Sequence, residues 1–326
     1  MTENNDFVRP VDQDSDIGHI IVAPHQFIDL AQEQQLAEEF GIELLAAADK
    51  DEFRAGIPDA SLVLVTPYAR VEAADFAAMK RCRAVVRYGI GYDNIDVDAA
   101  REVGVPVAIV PDASSEEVAA HALAMGLALV RRIPGGHAAI ANGGWAGKLA
   151  YDTPRFSELD VAVIGLGRIG RQVASYYSAL GANVRGYDPF ATFDGITAAS
   201  LDELLEGSDL ISLHVPLSAE TENLVSADVL ERMRPGAVLV NVSRGGLIDE
   251  HALSEALIAG RLAGAALDTF GTEPLPSDHP LRTAPNVVLT PHIAWRSNRA
   301  LETLQASVVA RCREALTGGA LLNTVA

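Results

Sequence analysis

The stretch Val161-Ala-Val-Ile-Gly165-Leu166-Gly167-Arg168-Ile169-Gly170 decides the reading of this chain. A short apolar run meets G-x-G-x-x-G. A helix-like segment follows from Arg171 to Leu180, and Val184-Arg-Gly-Tyr-Asp188 reads as a second strand ending on an acid. Strand, glycine turn, helix and strand in this order are the context a dinucleotide site requires. Gly165 permits the tight turn, Gly167 lets the backbone approach a pyrophosphate, and Gly170 lets the helix lie close on the sheet. The helix start, with Arg168 and Ile169, offers amides and a positive dipole end to phosphates. Asp188 is placed to accept hydrogen bonds from the ribose hydroxyls of adenosine, and its charge repels a 2′-phosphate. Pro189 and Phe190 follow it, and Arg185, three positions back, points to the other strand face. NAD is therefore expected over NADP.

Working outward, the 160 residues before the fingerprint call for another domain, and a length of 326 suggests about two. Apolar content of 49% suffices for sizeable cores. The longest apolar segment, Val118 to Val130, contains His121 and is shorter than the ~20 residues of a membrane span. Met1 to Asp16 is polar and acidic, without the basic start and apolar centre of a signal peptide, and reads as a frayed tail. Cys82 and Cys312 lack motif spacing and read as isolated thiols of a reduced, cytoplasmic protein. Net charge is −19, and the lysines are only Lys50, Lys80 and Lys148. Such a surface disfavours nucleic acid and anionic membranes, so an anionic substrate needs local arginines.

Strand-like runs at 20–23, 61–65, 82–86 and 107–110 alternate with helical stretches at 27–40, 71–80 and 96–103, which predicts a parallel sheet covered by helices. A long helix starts at Ser114-Ser115-Glu116-Glu117 and runs to Arg132, where Pro134-Gly135 breaks it. Strands at 161–166, 183–187, 210–214, 237–242, 265–267 and 287–290 then make a doubly wound sheet. The last helix, 298–317, is expected to return to the first domain. The expected architecture is α/β, with two Rossmann-like parallel-sheet domains, one flavodoxin-like and one doubly wound, and a cleft between them. The boundaries are 1–112 with 294–326, and 113–293.

Polar residues cluster at predicted strand ends, where open parallel sheets hold ligands. These clusters are Asn241-Val-Ser243-Arg244-Gly245-Gly246, Asp268-Thr-Phe-Gly-Thr-Glu273-Pro274 and Thr290-Pro291-His292. Hydride transfer between nicotinamide and a carbonyl needs an acid/base on the oxygen, a cation on the substrate, and control of the acid's protonation. Histidine is the side-chain type that titrates near neutrality, which suits His292 to the first task. Glu273 suits the third, and the guanidinium fork of Arg244 suits the second. A lone histidine at a strand end is usually structural, and His19, His25, His121, His137, His214, His251 and His279 take that reading. The joint occurrence of Arg244, Glu273 and His292 behind one fingerprint is what sets them apart.

These strings, together with Arg87-Tyr88-Gly89-Ile90-Gly91-Tyr92-Asp93-Asn94-Ile95-Asp96 and Ala266-Leu-Asp268, resemble the D-isomer-specific 2-hydroxyacid dehydrogenase family over essentially the whole chain. The resemblance implies an NAD-dependent enzyme interconverting D-2-hydroxy and 2-oxo acids, a split substrate domain, and a homodimer built around the cofactor domain. It implies that Arg244 binds substrate, that Glu273 pairs with His292, and that His292 is the acid/base. Asp268 would lie near the nicotinamide, Tyr88, Gly89 and Ile90 would offer backbone amides to the substrate carboxylate, and Ser115, His214, Val215, Pro216 and Ser243 would line the cofactor. No metal is implied.

Formate dehydrogenases of this fold carry glutamine where Glu273 stands, and phosphite-oxidising relatives carry a lysine in the region of Tyr88. Phosphoglycerate dehydrogenases often add a C-terminal regulatory domain, and their phosphate-binding arginine in an early loop is replaced here by Thr66-Pro67-Tyr68. His292-Ile-Ala-Trp295-Arg296-Ser297 resembles the C-terminal-binding-protein branch, which includes NAD-sensing corepressors and bacterial dehydrogenases. Trp295 would present an indole wall to an apolar or thioether substrate side chain, or pack in the hinge, whereas Arg296 would favour an acidic side chain. An NAD-sensing regulatory or assembly protein is the alternative to an enzyme, but the complete Arg244, Glu273 and His292 set favours the enzyme.

Overall fold

The computed structural model describes residues 18–145, 153–190 and 193–326. The acidic stretch Met1–Asp16 lies outside them. The chain divides into two compact units: Met1–Ser114 with Ser297–Ala326, and Ser115–Arg296. The crossings fall two and three residues beyond 112 and 293, so Trp295 and Arg296 belong to the second unit.

The first unit begins with β1 (His19–Val22), α1 (Ala31–Phe40), β2 (Leu44–Ala46), α2 (Lys50–Gly56) and β3 (Ala60–Val65). It continues through α3 (Ala73–Ala78), β4 (Ala84–Arg87), α4 (Val97–Val103) and β5 (Val107–Ala108). The sheet is parallel, in the order β2-β1-β3-β4-β5, which is the flavodoxin-like order. Every residue of β3 is buried, as expected for a central parallel strand covered on both faces. The pair β2 and α2 is absent from the pattern reading. β2 is a short, half-exposed edge strand without periodicity. α2 is two turns whose start is fixed by Asp49, whose side chain accepts the amides of Asp51 and Glu52.

The second unit opens with α5 (Ser115–Val130) and α6 (Ile133–Ala141). The expected break at Pro134-Gly135 is corrected here: α5 ends before it, but Pro134 sits in the first turn of α6, where its missing N–H costs nothing. There follow β6 (Asp160–Ile164), α7 (Arg168–Ala179), β7 (Asn183–Tyr187), β8 (Thr197–Ala198), α8 (Leu201–Gly207) and β9 (Leu210–Leu213). Then come α9 (Ala227–Arg232), β10 (Val238–Asn241), α10 (Glu250–Ile258), β11 (Gly264–Leu267) and β12 (Val287–Leu289). All seven strands are parallel, in the order β12-β11-β10-β9-β6-β7-β8. This is the doubly wound order with one edge strand added. The strand missed from sequence is β8, only two residues long. One apolar layer centres on Ile211, Leu239 and Leu253, the other on Val163, Val173 and Val240. The chain closes with α11 (Asn298–Thr317), which packs on α1 and β4 of the first unit.

Cys82 and Cys312 are buried and form no disulfide, and the Cys82 thiol donates to the Ala84 carbonyl at 3.3 Å. Among the described residues no helix is long and apolar enough to cross a membrane.

Strand order reverses direction between β6 and β9, whose ends meet at Ile164 and Leu213. Gly165, at φ +91°, lies so near β9 that a Cβ there would stand 2.5 Å from the His214 carbonyl oxygen. One on Gly170 would stand 1.9 Å from the Gly165 oxygen. Further along the same sheet edge, one on Gly245 would stand 1.9 Å from the Phe270 carbonyl carbon, so the turn after β10 lies directly on the turn after β11. Gly167, by contrast, faces open space. Gly245→Ala should therefore destabilise the fold by about 1–3 kcal/mol, read from urea unfolding, because backbone must move. Gly167→Ala should leave the urea midpoint at the wild-type value.

Candidate active site

The fingerprint turn is built for a phosphate-bearing ligand. α7 starts at Arg168 from an N-cap, Gly167, that supplies no side-chain hydrogen bond. A helix start without a side-chain cap leaves amides for an anion. Beyond β7, the Asp188 carboxylate is oriented by two amides, accepting from Leu166 and from Phe190, each at 2.9 Å. The Arg185 guanidinium reaches α8 at Gly207 instead. Gly165, Gly167, Gly170 and Asp188 thus fit a dinucleotide, with Arg168 and Ile169 in the first helical turn. Ser115 is the first residue of α5, the helix that packs along α7.

After β9, His214 bonds the Ser212 hydroxyl through Nε2 at 2.8 Å. Its Nδ1 is buried and has no partner among the described residues. Burial pushes its pKa down to about 3, so the ring is neutral. Val215 lies against the position a Gly165 side chain would take, and Pro216 is exposed. The Ser243 hydroxyl donates to the Leu213 carbonyl at 2.9 Å, tying the ends of β9 and β10 together.

The polar strand ends converge. Asn241, fully buried, accepts the Ser243 amide at 3.0 Å and donates to the Arg244 carbonyl at 2.7 Å, which sets the loop that presents Arg244. Arg244 Nη1 donates to the Ser243 carbonyl at 2.7 Å. Glu273 accepts the Phe270 amide on Oε1 at 3.0 Å and meets His292 Nδ1 with Oε2 at 2.7 Å. Burial pushes the Glu273 carboxyl up. The His292 contact, the Phe270 amide and the charge of Arg244 outweigh this and hold it below the usual carboxylate range. The pair is a carboxylate against an imidazole, with Nε2 left on the far side of the ring.

His292 has φ +55°, a left-handed conformation that costs a non-glycine residue about 1–3 kcal/mol. The loop around it is held by Asp268, which is fully buried. The Asp268 carbonyl accepts the His292 amide at 2.8 Å. Its carboxylate accepts the amides of Ile293 at 3.0 Å and Ala294 at 2.8 Å, and the Thr290 hydroxyl. His121, expected to be structural, and Thr290 of the strand-end cluster complete this knot. His121 Nε2 lies 3.1 Å from the Thr290 hydroxyl and 3.7 Å from Asp268, and Thr290 itself bridges them. A single polar residue in the apolar run of α5 was the available signal. The Trp295 indole N–H donates to the His292 carbonyl at 3.0 Å, and Arg296 lies 6.0 Å over the ring. The indole is thus tied back onto the loop that carries His292.

In the first unit, two of the three amides expected to face a carboxylate are already bonded. Tyr88 N–H donates to Val65 at 2.9 Å as a continuation of the β3–β4 ladder, and Gly89 N–H donates to Arg87 at 3.0 Å. Ile90 is half exposed. The Tyr88 side chain is buried and donates to Glu33 at 2.9 Å.

Residues 123–294 match the family described as D-isomer specific 2-hydroxyacid dehydrogenase, NAD binding domain. The chain is 38% identical over 288 residues to D-3-phosphoglycerate dehydrogenase of Mycobacterium tuberculosis, covering 87% of this chain and 54% of that one. To the protein of the same name from Methanocaldococcus jannaschii it is 37% identical over 303 residues, 89% of this chain and 56% of that one. The chain therefore spans about half the length of the curated relatives it matches. Among solved structures, D-lactate dehydrogenase from Aquifex aeolicus, complexed with NAD and lactic acid, superposes with a TM-score of 0.87 at 28% identity over 94% of this chain and 99% of that one. The TT0316 protein from Thermus thermophilus superposes with a TM-score of 0.86 at 32% identity, over 94% of this chain and all of that one. Sheet order, fingerprint and matched sequence agree: the chain belongs to the D-isomer specific 2-hydroxyacid dehydrogenase family, and its second unit carries the NAD-binding domain.

Proposed function

We propose that the chain is an NAD-dependent dehydrogenase that interconverts a D-2-hydroxy acid and a 2-oxo acid. The observation that carries this reading is the 2.7 Å contact of Glu273 with His292 Nδ1, on a loop packed against the one that presents Arg244. The nicotinamide cofactor, when bound, would supply the hydride in its reduced form, NADH, and take it up in its oxidised form, NAD+. Arg244 holds the substrate carboxylate in its guanidinium fork and polarises the carbonyl. In reduction, His292 Nε2 gives its proton to the carbonyl oxygen, and in oxidation it takes the proton from the hydroxyl. Glu273 accepts the Nδ1 proton of His292 in a hydrogen bond and so selects the tautomer and orientation of the ring. Asp268 acts on this chemistry through the loop it holds.

The carboxyl ends of β1, β3 and β4 are where a parallel sheet presents groups to a ligand. In this chain His25 stacks on Phe27 at 5.1 Å, Phe27 meets Tyr88 at 4.8 Å, and Thr66, Pro67 and Tyr68 follow β3. A 2-oxo acid with an uncharged side chain is proposed because Thr66-Pro67-Tyr68 stands where phosphoglycerate dehydrogenases carry a phosphate-binding arginine. A second reading, oxidation of D-3-phosphoglycerate, is favoured by the names of the curated relatives and expects 3-phosphohydroxypyruvate to be the best substrate. We also propose a homodimer. α6 buries none of its residues within the chain, and Ile133, Ile140 and the following Trp145 are exposed. Sedimentation should then give twice the 34.5 kDa chain mass.

A panel of 2-oxo acids with NADH, read at the nicotinamide absorbance, tests the reaction. It includes glyoxylate, pyruvate, phenylpyruvate, branched and thioether acids, and 3-phosphohydroxypyruvate. Turnover of none of them would sink the enzyme reading. His292→Asn should lower kcat by about 10²–10⁴-fold with NAD affinity unchanged. Gly167→Ala should fold normally yet bind NAD at least about tenfold more weakly, because its methyl group occupies the approach of the pyrophosphate. Asp188→Ala should narrow the preference for NAD over NADP, measured as a ratio of kcat/KM, by removing the charge that repels a 2′-phosphate.

A further inference from the structure

A second carboxylate–imidazole pair, unused by the reaction above, stands behind the loop that carries Glu273. Glu250 opens α10, and its side chain and that of His279 are each only 11% exposed. Glu250 Oε1 accepts the Gly271 amide at 2.8 Å, and Oε2 lies 3.3 Å from His279 Nε2. His279 Nδ1 accepts the Leu281 amide at 3.4 Å, which places the ring proton on Nε2, pointing at Glu250. The His251 ring lies against that of His279 at 5.4 Å. The next amide back along the chain, that of Phe270, goes to Glu273. Consecutive amides of one turn are therefore held by two different carboxylates, one from α10 and one from the turn itself.

Glu250 also senses the charge of Glu273. Burial pushes the Glu250 carboxyl up and the charge of Glu273 adds to this, against the pull of the Gly271 amide and of His279 and His251. Only a carboxylate meets this geometry. A glutamine offers one oxygen for two N–H donors and turns its own N–H toward one of them. An aspartate is one methylene shorter and cannot span both.

We infer that Glu250, backed by His279, is a positioning residue for the Glu273–His292 couple: it fixes the turn 270–273 so that Glu273 meets Nδ1 of His292. Its kinetic consequence rests on the proposed dehydrogenase reaction, whereas the restraint on the turn does not.

The test compares Glu250→Gln, His279→Leu and His279→Gln with wild type. It measures kcat and KM, the NAD dissociation constant, thermal unfolding, and hydrogen exchange of the Gly271 amide in the protein without substrate. Glu250→Gln and His279→Leu should remain folded, keep the NAD dissociation constant, lower kcat about tenfold or more, and speed Gly271 exchange. His279→Gln retains an N–H donor at the position of Nε2 and should recover most of kcat. Unchanged kcat, or equal losses of kcat and NAD affinity without recovery in His279→Gln, would overturn the inference. If wild type reduces no 2-oxo acid, the dehydrogenase reading falls, and exchange alone decides: faster Gly271 exchange in Glu250→Gln and His279→Leu upholds the restraint, and unchanged exchange overturns it.

Discussion

The site depends on one buried anion. Taking a carboxylate such as that of Asp268 out of water costs several kcal/mol unless hydrogen bonds replace its hydration. The replacements are the amides of Ile293 and Ala294 and the Thr290 hydroxyl, all from the segment that follows β12. Satisfying the charge and shaping the loop are therefore one event. The loop that results holds His292 in a left-handed backbone, where the ring meets Glu273. His121 on α5 and the Trp295 indole close the same knot from two other sides. Removing any single partner would leave a buried polar atom without its bond, so the arrangement is held as a network and not as a set of independent contacts.

Backbone proximity does the rest. Arg244 and Glu273 come from different strand ends, and their loops touch where Gly245 lies on Phe270 with no room for a Cβ. The fingerprint uses the same device at Gly165 and Gly170. In both places glycine matters through the absence of a side chain, and at Gly165 also through a positive φ. Asn241 and Ser243 then spend their polar atoms on neighbouring backbone, which converts strand ends into loops of defined shape.

Glu273 and Glu250 show how position divides one residue type into two roles. Glu273 faces an imidazole and a guanidinium, which keep it ionised despite partial burial. Glu250 lies behind the same turn, its carboxyl raised by burial and its oxygens shared between an amide and His279. The first is suited to orienting the His292 ring through its Nδ1. The second is suited to holding the turn still.

Much of this was legible in the chain. Alternating apolar runs and helical stretches specified two parallel sheets, because the periods of strand and helix are properties of a few neighbouring residues. The glycines and Asp188 marked the dinucleotide turn for the same reason, and the strings around Arg244, Glu273 and His292 marked the set proposed to react. The short edge elements β2 and β8 escaped, since two or three residues carry no period. So did the bonds already made by the amides of Tyr88 and Gly89. Contacts such as His121 with Thr290, separated by 169 positions, or Glu250 with Gly271, separated by 21, were likewise invisible. Sequence by itself determined which elements form and which residue types stand at their ends, because those preferences are local. Only the tertiary structure decided which of those ends meet, because strand order and register bring together residues with no relation along the chain.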